Sequence, residues 1–78
     1  MNKNIEKSIG RNIRLIRTAQ KLSQEELSTK LQIKGCDITR SALAKIEVGQ
    51  RHLYPDEILQ FKEILEVSFD DIFYGPSR

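Results

Sequence analysis

The sequence predicts an all-α fold, a compact domain of five short helices. Apolar residues recur at intervals of three and four along most of the 78-residue chain, which is the spacing of a buried helical stripe. Serine, threonine and proline residues stand where these stripes begin, as they do at helix starts. No segment alternates apolar and polar residues as a strand would. A chain of this length has room for one core, so we assign residues 1–78 to a single domain.

The first two predicted helices are joined by a short polar segment. Isoleucines at positions 5, 9, 13 and 16 predict a helix from about Asn4 to Gln20 with one buried stripe. Ser23 and Glu26 have the spacing of a capping box, in which each side chain binds the other residue's backbone amide. A second helix therefore covers about residues 24–32, with its two leucines facing inward.

The third predicted helix is short. Thr39 is its expected N-cap, and the helix covers residues 40–47, with Leu43 and Ile46 facing inward. Gly49 follows, in a position that suits a stop in left-handed geometry.

Two further helices complete the fold. Pro55 is expected to start the fourth helix, where a missing amide costs nothing, and the acidic residues after it favour the positive end of the helix. Its apolar side chains are expected to form the floor of the core: Ile58, Leu59, Phe61, Ile64 and Leu65. Ser68 and Asp71 resemble a second, weaker capping box that opens a fifth helix through Phe73.

Charge is distributed unevenly although the net charge is only +2. Residues 1–21 carry six basic side chains and one acidic one, whereas residues 55–78 carry two basic and six acidic ones. This asymmetry favours one face turned toward an anion and an opposite end turned away, although ordinary solvated helix faces explain it equally well.

Several classes of protein are excluded by the composition. No apolar run approaches the ~20 residues of a membrane span, and the N-terminus lacks the apolar core of a signal peptide, so we expect a cytoplasmic protein. Cys36 is the only cysteine, which excludes an internal disulfide and a cysteine-rich metal site. His52 is a lone histidine without a partner motif. We therefore expect no enzymatic activity, no metal, no cofactor and no small-molecule ligand.

The start of the third helix carries polar side chains that have no role in the core. Two short helices packed together, with such side chains at the exposed N-terminal end of the second, are typical of a DNA reader. The first turn of a recognition helix points into the major groove, and here it supplies Thr39, Arg40 and Ser41, followed by Ala44 and Lys45 on the next outward turn. Arginine and lysine can donate to O6 and N7 of guanine, the hydroxyls suit a phosphate or a base, and a methyl group can touch thymine. The alternative is that these are ordinary solvated surface residues.

Five segments in order resemble the phage repressor/Cro-type (XRE-like) helix-turn-helix family. They are Ile13-Arg-Leu-Ile-Arg17, Leu22-Ser-Gln-Glu-Glu-Leu27, Lys30-Leu31, Leu43-Ala-Lys-Ile-Glu47 with Gly49, and Val67-Ser-Phe-Asp-Asp-Ile-Phe73. The resemblance covers residues 9–73, with the second helix at about 24–32 and the recognition helix at about 40–47.

The resemblance implies roles for individual residues. The positions of Arg40, Ser41 and Lys45 commonly meet bases in this family, and the glutamine matching Gln24 touches the DNA backbone. Arg17 and Glu47 correspond to a structural ion pair between the first helix and the end of the recognition helix. Beside this resemblance, Arg51 and His52 follow the Gly49 turn and are candidates for a flanking phosphate contact.

The chain departs from the family in the turn before the recognition helix. Seven residues, 32–38, separate Leu31 from Thr39, where the family has three or four. We expect Ile33 and Ile38 to pack onto the core and Lys34 to approach the phosphate backbone from this lengthened turn. The tilt of the recognition helix depends on how the turn is accommodated.

The expected function is that of a sequence-specific transcriptional regulator of double-stranded DNA, in a bacterial or phage nucleoid setting. A homodimeric repressor on a palindromic operator is the favoured form, with half-sites roughly 34 Å apart. The segment after the third helix and Phe69, Ile72, Phe73 and Tyr74 are the candidate dimer surface. The alternative is a protein-interaction module of the same fold, such as an antitoxin or anti-repressor, although such a face usually presents apolar anchors.

Overall fold

The computed structural model describes residues 2–76, so Met1 and 77–78 of the predicted domain lie outside the described residues. Within this range the chain forms five helices and no strand, which confirms the predicted all-α class. The helices are α1 (Lys3–Ala19), α2 (Gln24–Ile33), α3 (Arg40–Glu47), α4 (Pro55–Leu65) and α5 (Phe69–Tyr74). No helix among the described residues is long and apolar enough to cross a membrane.

Side-chain caps set where the central helices begin. The Ser23 hydroxyl accepts a hydrogen bond from the Glu26 amide at 3.0 Å, and the Glu26 carboxylate accepts one from the Ser23 amide at 2.8 Å. The amide of Ser23 lowers the pKa of Glu26 because it binds the charged form. Thr39 caps α3 by accepting a hydrogen bond from the Ala42 amide at 3.1 Å. Both caps were predicted from the sequence.

The core lies between α1 and the other helices. All five helices, the α2–α3 turn and the α3–α4 segment contribute fully or almost fully buried apolar side chains: Ile9, Ile13, Ile16, Leu27, Leu31, Ile38, Leu43, Ile46, Leu53, Ile58, Phe61, Leu65 and Ile72. Phe61 of α4 is the largest fully buried side chain and lies at the floor of this core. Because α3 contributes Leu43 and Ile46, its orientation is set by the same core that holds α1 and α4 together.

Four expectations about apolar residues are wrong. Ile5 and Leu59 are 47% and 41% exposed, because their helices turn other residues toward the core. Ile33 is 79% exposed. The α2 helix continues through this residue, and a helical residue two positions after the buried Leu31 points away from the core. Ile72 is fully buried, so it is unavailable to the dimer surface.

The crossing of α1 and α3 depends on two glycines. A Cβ atom at Gly10 would overlap the carbonyl oxygen of Ile46 and lie 3.2 Å from the carbonyl carbon of Glu47. Gly49, at φ +78°, ends α3 in a left-handed conformation and lies against the side chain of Lys7. The backbone of α1 is therefore in direct contact with the C-terminal end of α3.

Buried polar groups tie the remaining segments to α1. The Glu6 carboxylate accepts a hydrogen bond from the Leu53 amide at 2.9 Å, and the Asn12 amide donates to the Ile72 carbonyl at 2.8 Å. Among the described residues, no buried side-chain nitrogen or oxygen lacks a hydrogen-bond partner. The α3–α4 segment and α5 are thus fixed by specific hydrogen bonds as well as by packing.

Candidate nucleic-acid interface

The α3 helix presents one apolar face and one polar face. Leu43, Ile46 and Glu47 are buried, whereas Ser41 and Lys45 lie on the opposite, exposed side of the helix. Arg40 is exposed at the start of the helix, and Ala44 is half-buried at the edge of the outward face. The lengthened turn does not bury these side chains, and the first turn of α3 is open to a ligand.

The outward side chains of α3 make no polar contact with the other residues that the structure describes. In the part of the chain that the structure describes, the side chains of Arg40, Ser41 and Lys45 form no hydrogen bond and no ion pair. Thr39 differs, because its oxygen caps the helix while its hydroxyl proton remains able to donate. This surface therefore has unused donors for an anion or a base edge.

The buried Arg17 and Glu47 and the half-buried Gln24 form a hydrogen-bonded network behind α3. Arg17 binds the Glu47 carboxylate through two nitrogens, Nε at 2.7 Å and Nη2 at 3.0 Å, and donates from Nη1 to the Leu22 carbonyl at 2.8 Å. The Gln24 side-chain amide donates to the same carboxylate at 3.0 Å. Glu47 thereby connects the end of α3 to the end of α1 and the start of α2.

The start of α2 also has unused donors. The backbone amides of Gln24 and Glu25 have no acceptor within residues 2–76, as expected for the first turn of a helix. Because the Gln24 side chain is held by Glu47, these amides keep a fixed position relative to α3. A helix start of this kind suits a phosphate oxygen, although the negative charge of the exposed Glu25 carboxylate repels a phosphate.

Lys34 lies against α4 at the lengthened turn. The turn is held by Ile38, whose side chain is fully buried and whose carbonyl accepts a hydrogen bond from Gln32 at 3.2 Å. Lys34 lines surface depressions with Asp56 on one side and Glu63 on the other. Because acidic residues line the depressions on both sides of it, Lys34 is a less favoured phosphate contact.

Cys36, in the same turn, is half-buried. Burial is the main reason why the pKa of its thiol is raised above the ordinary value. A thiol with a raised pKa is mostly protonated at neutral pH and is a poor nucleophile.

Arg51, a candidate from the sequence for a flanking phosphate contact, is bound within the protein. Its guanidinium binds Glu57 through two nitrogens at 2.9 and 3.0 Å and also donates to the His52 carbonyl. Burial by itself would raise the pKa of Glu57, but the bonds from Arg51 and from the Tyr54 amide outweigh it and lower the pKa. Arg51 joins the α3–α4 segment to the start of α4, so we remove it from the proposed phosphate contacts.

His52 lies beside the first turns of α1. Its side chain is 70% exposed, and Nδ1 is 3.3 Å from a carboxylate oxygen of Glu6. The amide of Leu53 is the main cause of the lowered pKa of Glu6, and His52 adds to it. A neighbouring carboxylate offsets any positive charge on His52, which weakens its case as a phosphate contact.

The family model described as Helix-turn-helix matches residues 13–72, well over half of the chain. The chain belongs to the XRE-type helix-turn-helix family. This confirms the resemblance seen in the sequence, and it makes the chain a DNA-binding helix-turn-helix protein, of a family that is not typically enzymatic. Comparison with curated proteins and with solved structures found no match.

Sequence reasoning about this helix-turn-helix protein did not assign three cations of α1. Lys7, Arg11 and Arg14 line a surface depression together with Val48, next to the end of α3. The signal was present in the sequence, since spacings of four and three residues place these cations on one side of a helix. What the sequence could not show is which element lies beside them.

Proposed function

We propose that this helix-turn-helix protein is a sequence-specific transcriptional regulator that binds duplex DNA with the first turn and outward face of α3. The observation that carries the proposal is the exposure of Arg40, Ser41 and Lys45 without polar partners among the described residues. A first turn that is free of the core can enter the major groove, where base edges carry a distinct pattern for each base pair.

Each side chain of this surface has a proposed role. Arg40 and Lys45 donate to guanine O6 and N7, Thr39 and Ser41 donate to a base or a phosphate, and the Ala44 methyl contacts a thymine methyl. Behind them, the start of α2 at Gln24 binds a phosphate and fixes how deeply α3 enters the groove. Direct contacts to bases specify the sequence, and phosphate contacts position the protein.

The proposed active form is a homodimeric repressor on a palindromic operator. One domain of this size reads few base pairs, so two-fold pairing with half-sites roughly 34 Å apart supplies the affinity that a regulator needs. The proposed pairing surface combines Ile5 of α1 with Phe73 and Tyr74 of α5, which together line an apolar depression and are 47%, 36% and 86% exposed. Phe69, 43% exposed, lies at the start of the same helix as Phe73.

The test is selection of bound sequences from random duplex DNA by the wild-type protein. The expected result is a palindromic consensus, which would report specificity and two-fold symmetry together. Arg40→Ala should then relax the preference at one symmetric pair of positions, by about 1–3 kcal/mol per base pair. A bound pool without any consensus would overturn the proposal of sequence-specific regulation.

A protein-interaction module, such as an antitoxin or anti-repressor, is the competing proposal. It is less favoured because the outward face of α3 presents Ser41, Ala44 and Lys45 rather than aromatic or aliphatic anchors. Duplex affinity that falls steeply with salt supports the regulator, whereas salt-independent binding to a protein partner supports the module.

A further inference from the structure

A basic depression runs along the outer face of α1. Its volume is about 480 Å³, and its charged walls are Lys7, Arg11 and Arg14, with Asn4, Ser8, Glu47 and Val48 completing the lining. The three cations are exposed, and in the described range, residues 2–76, their side chains take part in no ion pair or hydrogen bond. Glu47 brings no free charge to this surface, because its side chain is 1% exposed and its carboxylate is bound to Arg17.

This basic depression continues the outward face of the recognition helix. Ser41, Lys45 and Val48 are spaced by four and three residues. Val48, the C-cap of α3, therefore continues the side of the helix that presents Ser41 and Lys45. Val48 is 54% exposed and forms one wall of the depression. A ligand that lies along α3 from its first turn to its end therefore reaches the cations of α1.

The relative position of the two surfaces is fixed by close packing. At Gly10 the backbone of α1 touches the backbone of Ile46 and Glu47, and Gly49 lies against Lys7. Neither contact has room for an added carbon atom. The cations are thus presented at a constant distance from the end of α3 rather than on a mobile arm.

We propose that Lys7, Arg11 and Arg14 bind phosphates of the DNA strand that flanks the groove occupied by α3. From Lys7 to Arg14 the helix rises about 10 Å. This is close to the axial length of three steps between successive phosphates of one strand, at about 3.4 Å per step. This inference rests on the proposed function and extends the contact beyond the helix-turn-helix unit. An acidic protein surface is the competing occupant, and continuity with the α3 face favours the nucleic acid.

The experiment compares two double variants that each remove two positive charges. Arg11→Gln/Arg14→Gln alters the basic depression, and Lys30→Gln/Lys62→Gln is the matched control. Lys30 borders Glu63 and Glu66 near α4, and Lys62 stacks over the Phe69 ring. Circular dichroism first establishes that both variants are folded. Affinity for the selected operator and for a random duplex is then measured between 50 and 200 mM salt.

The salt dependence of binding gives the expected result. Losing two phosphate contacts per protomer should reduce the slope of log affinity against log salt by about 1.8 for each bound protomer, which is about 3.6 for a dimer on the operator. Binding should weaken by up to about 60-fold per protomer at 0.1 M salt. The loss should be similar for operator and random duplex, because phosphates carry no sequence information. The control variant should keep the wild-type slope.

The experiment distinguishes a failure of the proposed regulator function from a failure of the proposed phosphate contacts of α1. Absence of duplex binding by the wild-type protein would refute the proposed function itself. Wild-type binding with an unchanged slope in Arg11→Gln/Arg14→Gln would refute only the phosphate contacts of α1. A third outcome is that Arg11→Gln/Arg14→Gln sediments as a monomer while its DNA binding keeps the wild-type salt dependence per protomer. The depression would then be a protein interface, and the inference would be overturned.

Discussion

Replacing Glu47 with alanine should destabilise the protein and weaken DNA binding together. The substitution removes the two carboxylate oxygens that accept from the Arg17 guanidinium, one of which also accepts from the Gln24 amide. Within residues 2–76, the Leu22 carbonyl is then the remaining acceptor for Arg17. Arg17 is 7% exposed, so water cannot replace what is lost. Stranding a buried charge costs about 3–5 kcal/mol. A domain of this size has roughly 4–12 kcal/mol of stability, so the loss is a large fraction of the total.

The assay is urea unfolding followed by circular dichroism, with duplex affinity measured at a salt and temperature where the variant is still folded. Glu47→Gln is the milder companion, since it keeps one acceptor oxygen and should lose about 1.5–3 kcal/mol. The double variant Arg17→Met/Glu47→Leu should be more stable than Glu47→Ala, because no charge remains buried. If Glu47→Ala loses less than about 1 kcal/mol and binds the operator as tightly as the wild type, the network does not position α3.

Three further predictions concern the helix start, the helix crossing and acid stability. Thr39→Ala should lose about 1 kcal/mol in urea unfolding, because the Ala42 amide loses its acceptor; an unchanged midpoint would contradict the capping role. Gly10→Ala should lower the thermal midpoint and weaken operator binding, since its methyl group displaces α3; wild-type affinity would show that the crossing tolerates a shift. Because the folded pKa of Glu57 is depressed, stability should fall as pH drops below the ordinary carboxyl pKa of 4.5. In Glu57→Gln that acid slope should be shallower, and an equal slope would exclude Glu57 as a contributor.

The helix boundaries were the most predictable part of the fold. Ser23 and Thr39 sit at helix starts because their side chains satisfy amides that no helical carbonyl can reach, and this is a local property of the sequence. Pro55 marks the start of α4 for an equally local reason, its fixed φ and missing amide. Such signals do not depend on the rest of the chain.

The side of each helix that becomes buried was less predictable at the helix ends. Ile5 and Ile33 fit an apolar pattern, yet both are exposed, because whether a terminal turn meets the core depends on the length and crossing of neighbouring helices. Glu6 shows the reverse, since a carboxylate is buried where the Leu53 amide of a distant segment needs an acceptor. Pairings across 47 positions of sequence carry no local signature.

In the candidate interface, features set by a single helix were predicted, and features set by contacts between distant segments were not. The exposure of Arg40 and Lys45 was predicted, because the inward leucine and isoleucine of α3 define the opposite face. The ion pair that occupies Arg51 and the depression that joins Lys7 to Val48 were not predicted. Both depend on how segments far apart in the chain come together.

Within residues 2–76, internal polar contacts do not involve the side chains of Arg40, Ser41 and Lys45. This has an evolutionary consequence. Exchanging these residues leaves intact the bonds that hold the scaffold. Under the proposed role of α3, new operator preferences can therefore arise by single substitutions with almost no folding penalty. Transplanting the outward residues of a relative onto this backbone should accordingly redirect it to that relative's target while its melting behaviour stays the same.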